Sequence, residues 1–259
     1  MKYQNYIFDL YGTLLDIRTN ENKPYLWKKM SEIYSALGAV YTPAELKKEF
    51  RRLEREAVKH AASEQGAAEN TSASEQEDLC HLPAHIEVDL RQVFMQLFEQ
   101  KGVACDDALA KTVAVTFRAL SRKMICVYEG VHETLAALKA QGKGIYLLSN
   151  AQSDFTRPEL AMTGLEGYFD GILISSEEGV KKPGTSFYEC LFERFGLEAS
   201  ACLMVGNDET SDIAGALAVG MDSLYVHTEI SPPIESVKGI AAYSVMDGDW
   251  GKVKELLLK

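Results

Sequence analysis

The sequence predicts an α/β chain: a doubly wound parallel sheet with an inserted all-helical cap domain. Three observations carry that prediction. A short apolar run, Tyr6-Ile7-Phe8, ends on the carboxylate of Asp9 and runs into a turn at Gly12-Thr13. From Glu129 onward, strand-length apolar runs alternate with helical stretches. Between them, residues 17–125 read as helix after helix. Short unbroken apolar runs are the mark of strands buried on both faces of a parallel sheet. Repeated strand–helix units place helices on both faces of that sheet.

In chain order, the strand from Tyr6 comes first. Leu26 to Leu37 then carries apolar residues at helical spacing, with Gly38 as a stop. Thr42-Pro43-Ala44-Glu45 has the form of a capping box with Pro at the first helical position. Leu46, Phe50, Leu53 and Ala57 mark the inner face of the helix that follows. Residues 62–77 hold Ala, Ser, Glu, Gln, Asn, Thr and one Gly, with no large apolar side chain. Such a segment cannot repay the entropy of ordering and reads as a mobile insertion. A helix resumes near Val88 with Leu90, Val93, Phe94, Leu97 and Phe98 inward. Another runs from Asp106 to Met124 with Leu109, Val113, Phe117 and Leu120 inward. These stripes serve packing.

The second half alternates. Helices are expected over 131–140, 155–162 (capped by Ser153 or Asp154), 187–195, 213–219 and 253–258. Strands are expected over 145–148, 172–174, 203–205 and 224–226, with an edge strand over 242–245. The predicted domains are a Rossmann-like catalytic core, 1–16 with 126–259, and a helical cap, 17–125, at the carboxyl ends of the core strands.

Composition narrows the function. The chain has 259 residues and a formal net charge of -11, where a nucleic-acid binder would show a basic face. An acidic protein can still hold a small anion in a local cationic pocket. No apolar run approaches the roughly 20 residues of a membrane span, and the N-terminus lacks a secretory pattern, so a cytoplasmic location is expected. The five cysteines are odd in number and form no C-x-x-C pair, which argues against a disulfide framework or a zinc site. Cys126, Cys190 and Cys202 lie in apolar contexts and read as core thiols. The histidines do not cluster; His81 and His85 could share a helical face but lack further ligands.

Polar residues gather where the strands stop, the place where open α/β sheets bind ligands. The first strand ends on Asp9 and Thr13, and the second on Ser149 and Asn150. Lys181 and Lys182 follow the third, and Asn207, Asp208 and Asp212 the fourth. Singly, each reads as a helix cap or a solvated charge. Together they suit phosphoryl transfer. A carboxylate can be a covalent nucleophile. Hydroxyls, an ammonium and backbone N–H groups near Gly12 can hold phosphate oxygens. Magnesium takes oxygen ligands, commonly one or two carboxylates with water and substrate. Asp9, a loop carbonyl near Tyr11, and Asp208 could supply them. Asp212 could hold a metal-bound water or orient Lys182.

These stretches resemble the haloacid dehalogenase-like hydrolase superfamily with a helical cap. The matching pieces are Phe8-Asp9-Leu10-Tyr11-Gly12-Thr13-Leu14, Leu148-Ser149-Asn150, Lys182-Pro183 and the run from Val205 to Ala216. The resemblance implies Asp9 as nucleophile and Thr13 and Ser149 as ligands of the transferred group. Lys182 would stabilise developing charge, and Asp208, with Asn207 and Asp212, would hold Mg2+. The expected reaction is hydrolysis of a small phosphorylated metabolite.

One position departs. Phosphatases of the superfamily mostly carry a second Asp two residues after the nucleophile; Tyr11 stands there. Asp-x-Tyr-Gly-Thr is the string of the 2-haloacid dehalogenases, which need no metal, so dehalogenation is one alternative. A weakly active or non-catalytic phosphate-binding protein is another. Asn207, Asp208 and Asp212 form the acidic arrangement suited to a cation, and carboxylates crowded in a partly buried site repel unless one neutralises them. A phenol, with a reference pKa of about 10, is a poor general base near neutrality.

Overall fold

The computed structural model describes residues 2–64, 85–233 and 240–259. In chain order the elements are β1 (Asn5–Phe8), β2 (Leu15–Thr19), α1 (Pro24–Ala36), α2 (Pro43–Glu64), α3 (Leu90–Glu99), α4 (Asp107–Ser121) and β3 (Arg122–Val127). There follow α5 (Val131–Ala140), β4 (Gly144–Ser149), α6 (Ser153–Thr163), β5 (Gly171–Ile174), α7 (Ser175–Glu178) and α8 (Thr185–Phe195). The chain closes with β6 (Cys202–Gly206), α9 (Ala214–Ala218), β7 (Asp222–Val226), β8 (Tyr243–Val245) and α10 (Trp250–Leu258). It divides into two compact units, Met1–Arg18 with Met124–Lys259, and Thr19–Lys123.

The first unit is built on a six-stranded sheet of order β5-β4-β1-β6-β7-β8, and each neighbouring pair is parallel. β1 is central: Phe8 stands opposite Leu147 on one side and Val205 on the other. Strand order reverses on either side of it, which opens a crevice at its carboxyl end. Side chains alternate across a strand, so Tyr6 and Phe8 pack with Val131, Leu135, Trp250 and Val253 on one face. Ile7 packs with Phe187, Tyr188, Leu191 and Met204 on the other. These residues are 0–2% exposed. At about 25 cal/mol per Å² of apolar surface, this two-sided burial anchors the base of the crevice.

The second unit is helical around aromatic rings. The Phe50 ring lies 5.3–5.4 Å from Trp27, Phe94 and Phe117, and Tyr34 stacks on Phe98 at 4.3 Å. The capping box forms as expected: Glu45 N–H donates to Thr42 Oγ1 and Thr42 N–H to a Glu45 carboxyl oxygen. Among the described residues no helix is long and apolar enough to cross a membrane.

Some expectations fail. The helix expected to Met124 stops at Ser121, and the chain turns extended as β3 to pair with β2. That pairing joins residues a hundred positions apart, which local periodicity cannot report. Period-two alternation in β3 then turns Cys126 outward, so it is exposed rather than a core thiol. Cys202 is buried as expected. The cap of α6 is Gln152, not Ser153 or Asp154. The helix expected over 213–219 forms as α9, but a π-helical turn, Glu209–Ile213, that was not expected precedes it. Cys80, His81 and residues 65–77 of the expected insertion lie outside the described residues.

Candidate active site

Asp9 follows β1, and its N–H donates to Val205 O at 3.0 Å, which continues the sheet for one residue. The chain then tightens: the N–H groups of Leu14 and Leu15 both donate to Leu10 O, and Gly12 N–H donates to Leu15 O. Gly12 has φ +88°, and a Cβ there would lie 2.3 Å from Asn207 Nδ2. Only glycine meets both the left-handed backbone and the close approach. Its own N–H is spent inside the turn, on Leu15 O.

Lys182 occupies the centre. It is 2% exposed, and its Nζ donates to Asp9 Oδ1 at 2.8 Å and Asp212 Oδ1 at 2.7 Å. Asp212 Oδ2 accepts from the N–H groups of Asn207 and Asp208, each at 3.0 Å. Both Asp212 oxygens are therefore engaged, and the contact with Nζ fits one of the roles expected for it, orienting Lys182. Its close fit requires glycine at the end of β6, because a Cβ on Gly206 would lie 2.3 Å from Asp212 Oδ2. Tyr188, from α8, steadies the π-turn by donating to Ser211 O at 2.9 Å.

Burial pushes the Asp212 carboxyl up to about 7, with Asp9 adding to the rise, against the Lys182 ammonium and the Asp208 N–H. Burial also opposes the Lys182 charge, but Asp212 and Asp9 outweigh it and hold the ammonium above the ordinary lysine value. Both shifts favour the proton-bound form, a neutral carboxyl at Asp212 and an ammonium at Lys182. Two carboxylates within 2.8 Å of Nζ, and two backbone donors on Asp212, decide for a charged Lys182.

Asn150, at the end of β4, is expected to bind substrate, and it lines the site's cavity. Its amide also grips the Lys182 backbone, with Nδ2 donating to Lys182 O at 2.9 Å and Oδ1 accepting from Lys182 N at 2.8 Å. Ser149, beside it, is fully buried, and its hydroxyl has no hydrogen-bond partner among the described residues. The Thr13 hydroxyl lies 3.1 Å from Asp9 Oδ2 and 3.2 Å from Asn207 Oδ1. Asp208 Oδ1 accepts from Thr210 N and Oγ1, both at 2.8 Å. Burial works against the Asp208 charge, but the Thr210 hydroxyl and the N–H groups of Ser211 and Thr210 hold its carboxyl below the usual carboxylate range.

Asp9, Tyr11, Asn150, Lys182, Asn207, Asp208 and Asp212 line one cavity of about 240 Å³, with Ile230 and Pro232 as its apolar wall. Three carboxylates face one ammonium there. Among the described residues no three His, Cys, Asp or Glu side chains form a closed metal cluster. The protein can offer magnesium two carboxylates, Asp9 and Asp208, with the remaining positions left to backbone oxygen, water and substrate, which is how magnesium is commonly bound.

Sequence reasoning missed several participants. Thr228 Oγ1 donates to Gly12 O at 2.7 Å, and Asn207 Nδ2 donates to Ser231 Oγ at 3.3 Å, so the loop after β7 braces two of the strand ends. Tyr11 donates to Glu159 Oε2 at 2.5 Å and lies 3.0 Å from Thr156 Oγ1. Thr156 and Glu159 stand three apart on α6, a spacing that puts them on one face. That is a faint signal, because nothing local says the face looks toward Tyr11.

A family model described as haloacid dehalogenase-like hydrolase matches residues 3–220. Ribulose-1,5-bisphosphate 5-phosphatase of Halopiger xanaduensis is 34% identical over 125 residues, 48% of this chain and 52% of that protein. Phosphoserine phosphatase of Thermus thermophilus is 29% identical over 141 residues, 54% of this chain and 55% of that protein. The chain thus spans about half the length of the curated relatives it matches. Among solved structures, a 2-haloacid dehalogenase from Pseudomonas syringae pv. Tomato DC3000 superposes with a TM-score of 0.63 at 20% identity. That match covers 99% of this chain and 98% of the other, and at that identity the likeness is one of fold.

Proposed function

The chain belongs to the haloacid dehalogenase-like hydrolase family, and from that premise we propose that it is a magnesium-dependent phosphatase. Its substrate is a small phosphorylated metabolite. The observation that carries this reading is the cavity's charge: Asp9, Asp208 and Asp212 against Lys182 alone. Carboxylates so placed repel unless a cation joins them.

Each residue has a chemical part. Asp9 is the nucleophile, attacking phosphorus to form an acyl phosphate that water then hydrolyses. Lys182, fixed by Asp212, keeps Asp9 aimed and neutralises charge that builds on the phosphoryl oxygens. Thr13 donates to a phosphoryl oxygen. Ser149 does the same, which supplies its orphaned hydroxyl with a partner and removes a cost of about 1–3 kcal/mol. Asp9, Asp208, the Tyr11 carbonyl and Asn207 would hold magnesium, whose chemistry when bound is charge neutralisation on the phosphoryl group.

The test is hydrolysis of a phosphate panel with magnesium and with chelator, run beside halide release from a 2-haloacid. Phosphate release that needs magnesium is expected. Halide release in chelator, with no phosphate release, would replace this reading with dehalogenation, which the Asp9-x-Tyr11-Gly12-Thr13 string favours. Binding of phosphate without turnover, unchanged in Asp9→Asn, would mark a non-catalytic protein.

A further inference from the structure

Tyr11 lines the cavity beside Asp9, yet its hydroxyl faces α6. The phenol has one proton, and it is donated to Glu159 Oε2 at 2.5 Å. Thr156 Oγ1 stands 3.0 Å from the same oxygen. Glu159 is 1% exposed and Thr156 0%, so both partners are locked in the core and the phenol is held from below.

The other titratable groups of the cavity are committed as well. Asp9 is the nucleophile, and Lys182 bridges Asp9 and Asp212. Asp212 holds two backbone amides, and Asp208 Oδ1 accepts from Thr210 N and Oγ1. Among the described residues that line the cavity, each carboxylate and the ammonium is thus already hydrogen-bonded within the protein.

We propose that Thr156 and Glu159 hold Tyr11 out of proton transfer, and that the site therefore acts on phosphoryl groups whose leaving group departs without a proton: acyl and aryl phosphates. The proposal rests on the phosphatase reading above and narrows it. In the first step an Asp9 oxygen bonds to phosphorus as the bond from phosphorus to the leaving oxygen breaks. The electron pair leaves on a carboxylate or phenolate, groups whose conjugate acids titrate at about 4–10. In the second, water bonds to phosphorus and the bond to Asp9 breaks. The Asp9 carboxylate is restored, and both water protons leave with dihydrogen phosphate. Glu159 touches neither substrate nor nucleophile; it is a positioning residue.

The experiment measures kcat/KM with magnesium for a series from acetyl phosphate and 4-nitrophenyl phosphate to simple alkyl phosphates. Acyl and aryl substrates should exceed alkyl ones by about 10²–10⁴, the usual contribution of a placed general acid that this site lacks. Tyr11→Asp should raise the alkyl-to-aryl ratio by at least tenfold. Glu159→Ala removes the acceptor of the phenol's proton and should raise the ratio too. Glu159→Gln still accepts the phenol's proton and should leave it where it was. A role confined to packing would lower all substrates alike and leave the ratio unmoved in every variant. Should Glu159→Ala not fold, Tyr11→Asp decides. Alkyl phosphates turned over within tenfold of aryl ones overturn the proposal while the phosphatase reading stands; no turnover of any phosphate, acetyl phosphate included, overturns the reading itself.

Discussion

Replacing Lys182 with methionine removes the ammonium between Asp9 and Asp212 and keeps much of the side chain's volume. Three carboxylates and one ammonium give the cavity a formal charge of −2, and without the ammonium it is −3. Lys182 is 2% exposed and Asp212 1%, so water cannot screen the loss. Breaking a buried pair from one side costs about 3–5 kcal/mol, and that is the expected loss in metal-free buffer near pH 8. A second change should return part of it. In Lys182→Met/Asp212→Asn the amide oxygen can still accept from the N–H groups of Asn207 and Asp208, while the unpaired buried charge is gone. The double variant is expected to be about 1–3 kcal/mol more stable than Lys182→Met alone. Acid should also help the single variant. Asp212 already sits at about 7 against an ordinary 3.8, so its ionised form is the destabilising one, and the loss should shrink as pH falls from 8 through 7 toward 5. Urea unfolding in a Trp27→Phe background follows this cleanly, because the buried Trp250 then reports the sheet unit alone. A single-variant loss under about 1 kcal/mol, with a double variant no more stable, would refute the buried ion pair.

Gly12→Ala forces a side chain onto φ +88° and against Asn207; a loss of about 1–3 kcal/mol is expected from backbone strain alone, read as a lowered Tm. Asp208→Asn should weaken magnesium binding by at least tenfold in calorimetry, since it removes one of two available carboxylates while its Oδ1 can still accept from Thr210. In native thiol labelling followed by peptide mapping, exposed Cys126 should react well before Cys202, whose thiol burial pushes up to about 11.

The parts of this protein that were legible in its sequence are those written locally. The apolar run before Asp9, the runs ending at Ser149 and Gly206, and the capping box at Thr42 each declare themselves within a few residues. Their meeting at one crevice followed from the rule that parallel strands present their carboxyl ends together. What escaped depends on distant partners. β3 is a strand because β2 pairs with it, and Cys126 is exposed for the same reason. Asn150 was legible as a site residue, but its grip on the Lys182 backbone was not. Glu159 gave at most the faint signal of sharing a helix face with Thr156, because it and Tyr11 are 148 positions apart.

Covalent chemistry at Asp9 is the claim on which the account stands, and it can be observed directly. Enzyme turning over acetyl phosphate with magnesium is quenched in acid, digested and mapped by mass spectrometry. A phosphoryl group on the peptide carrying Asp9, absent from Asp9→Asn and from protein quenched in chelator, is the predicted result. Phosphoryl found on another residue, or full turnover by Asp9→Asn, would contradict it.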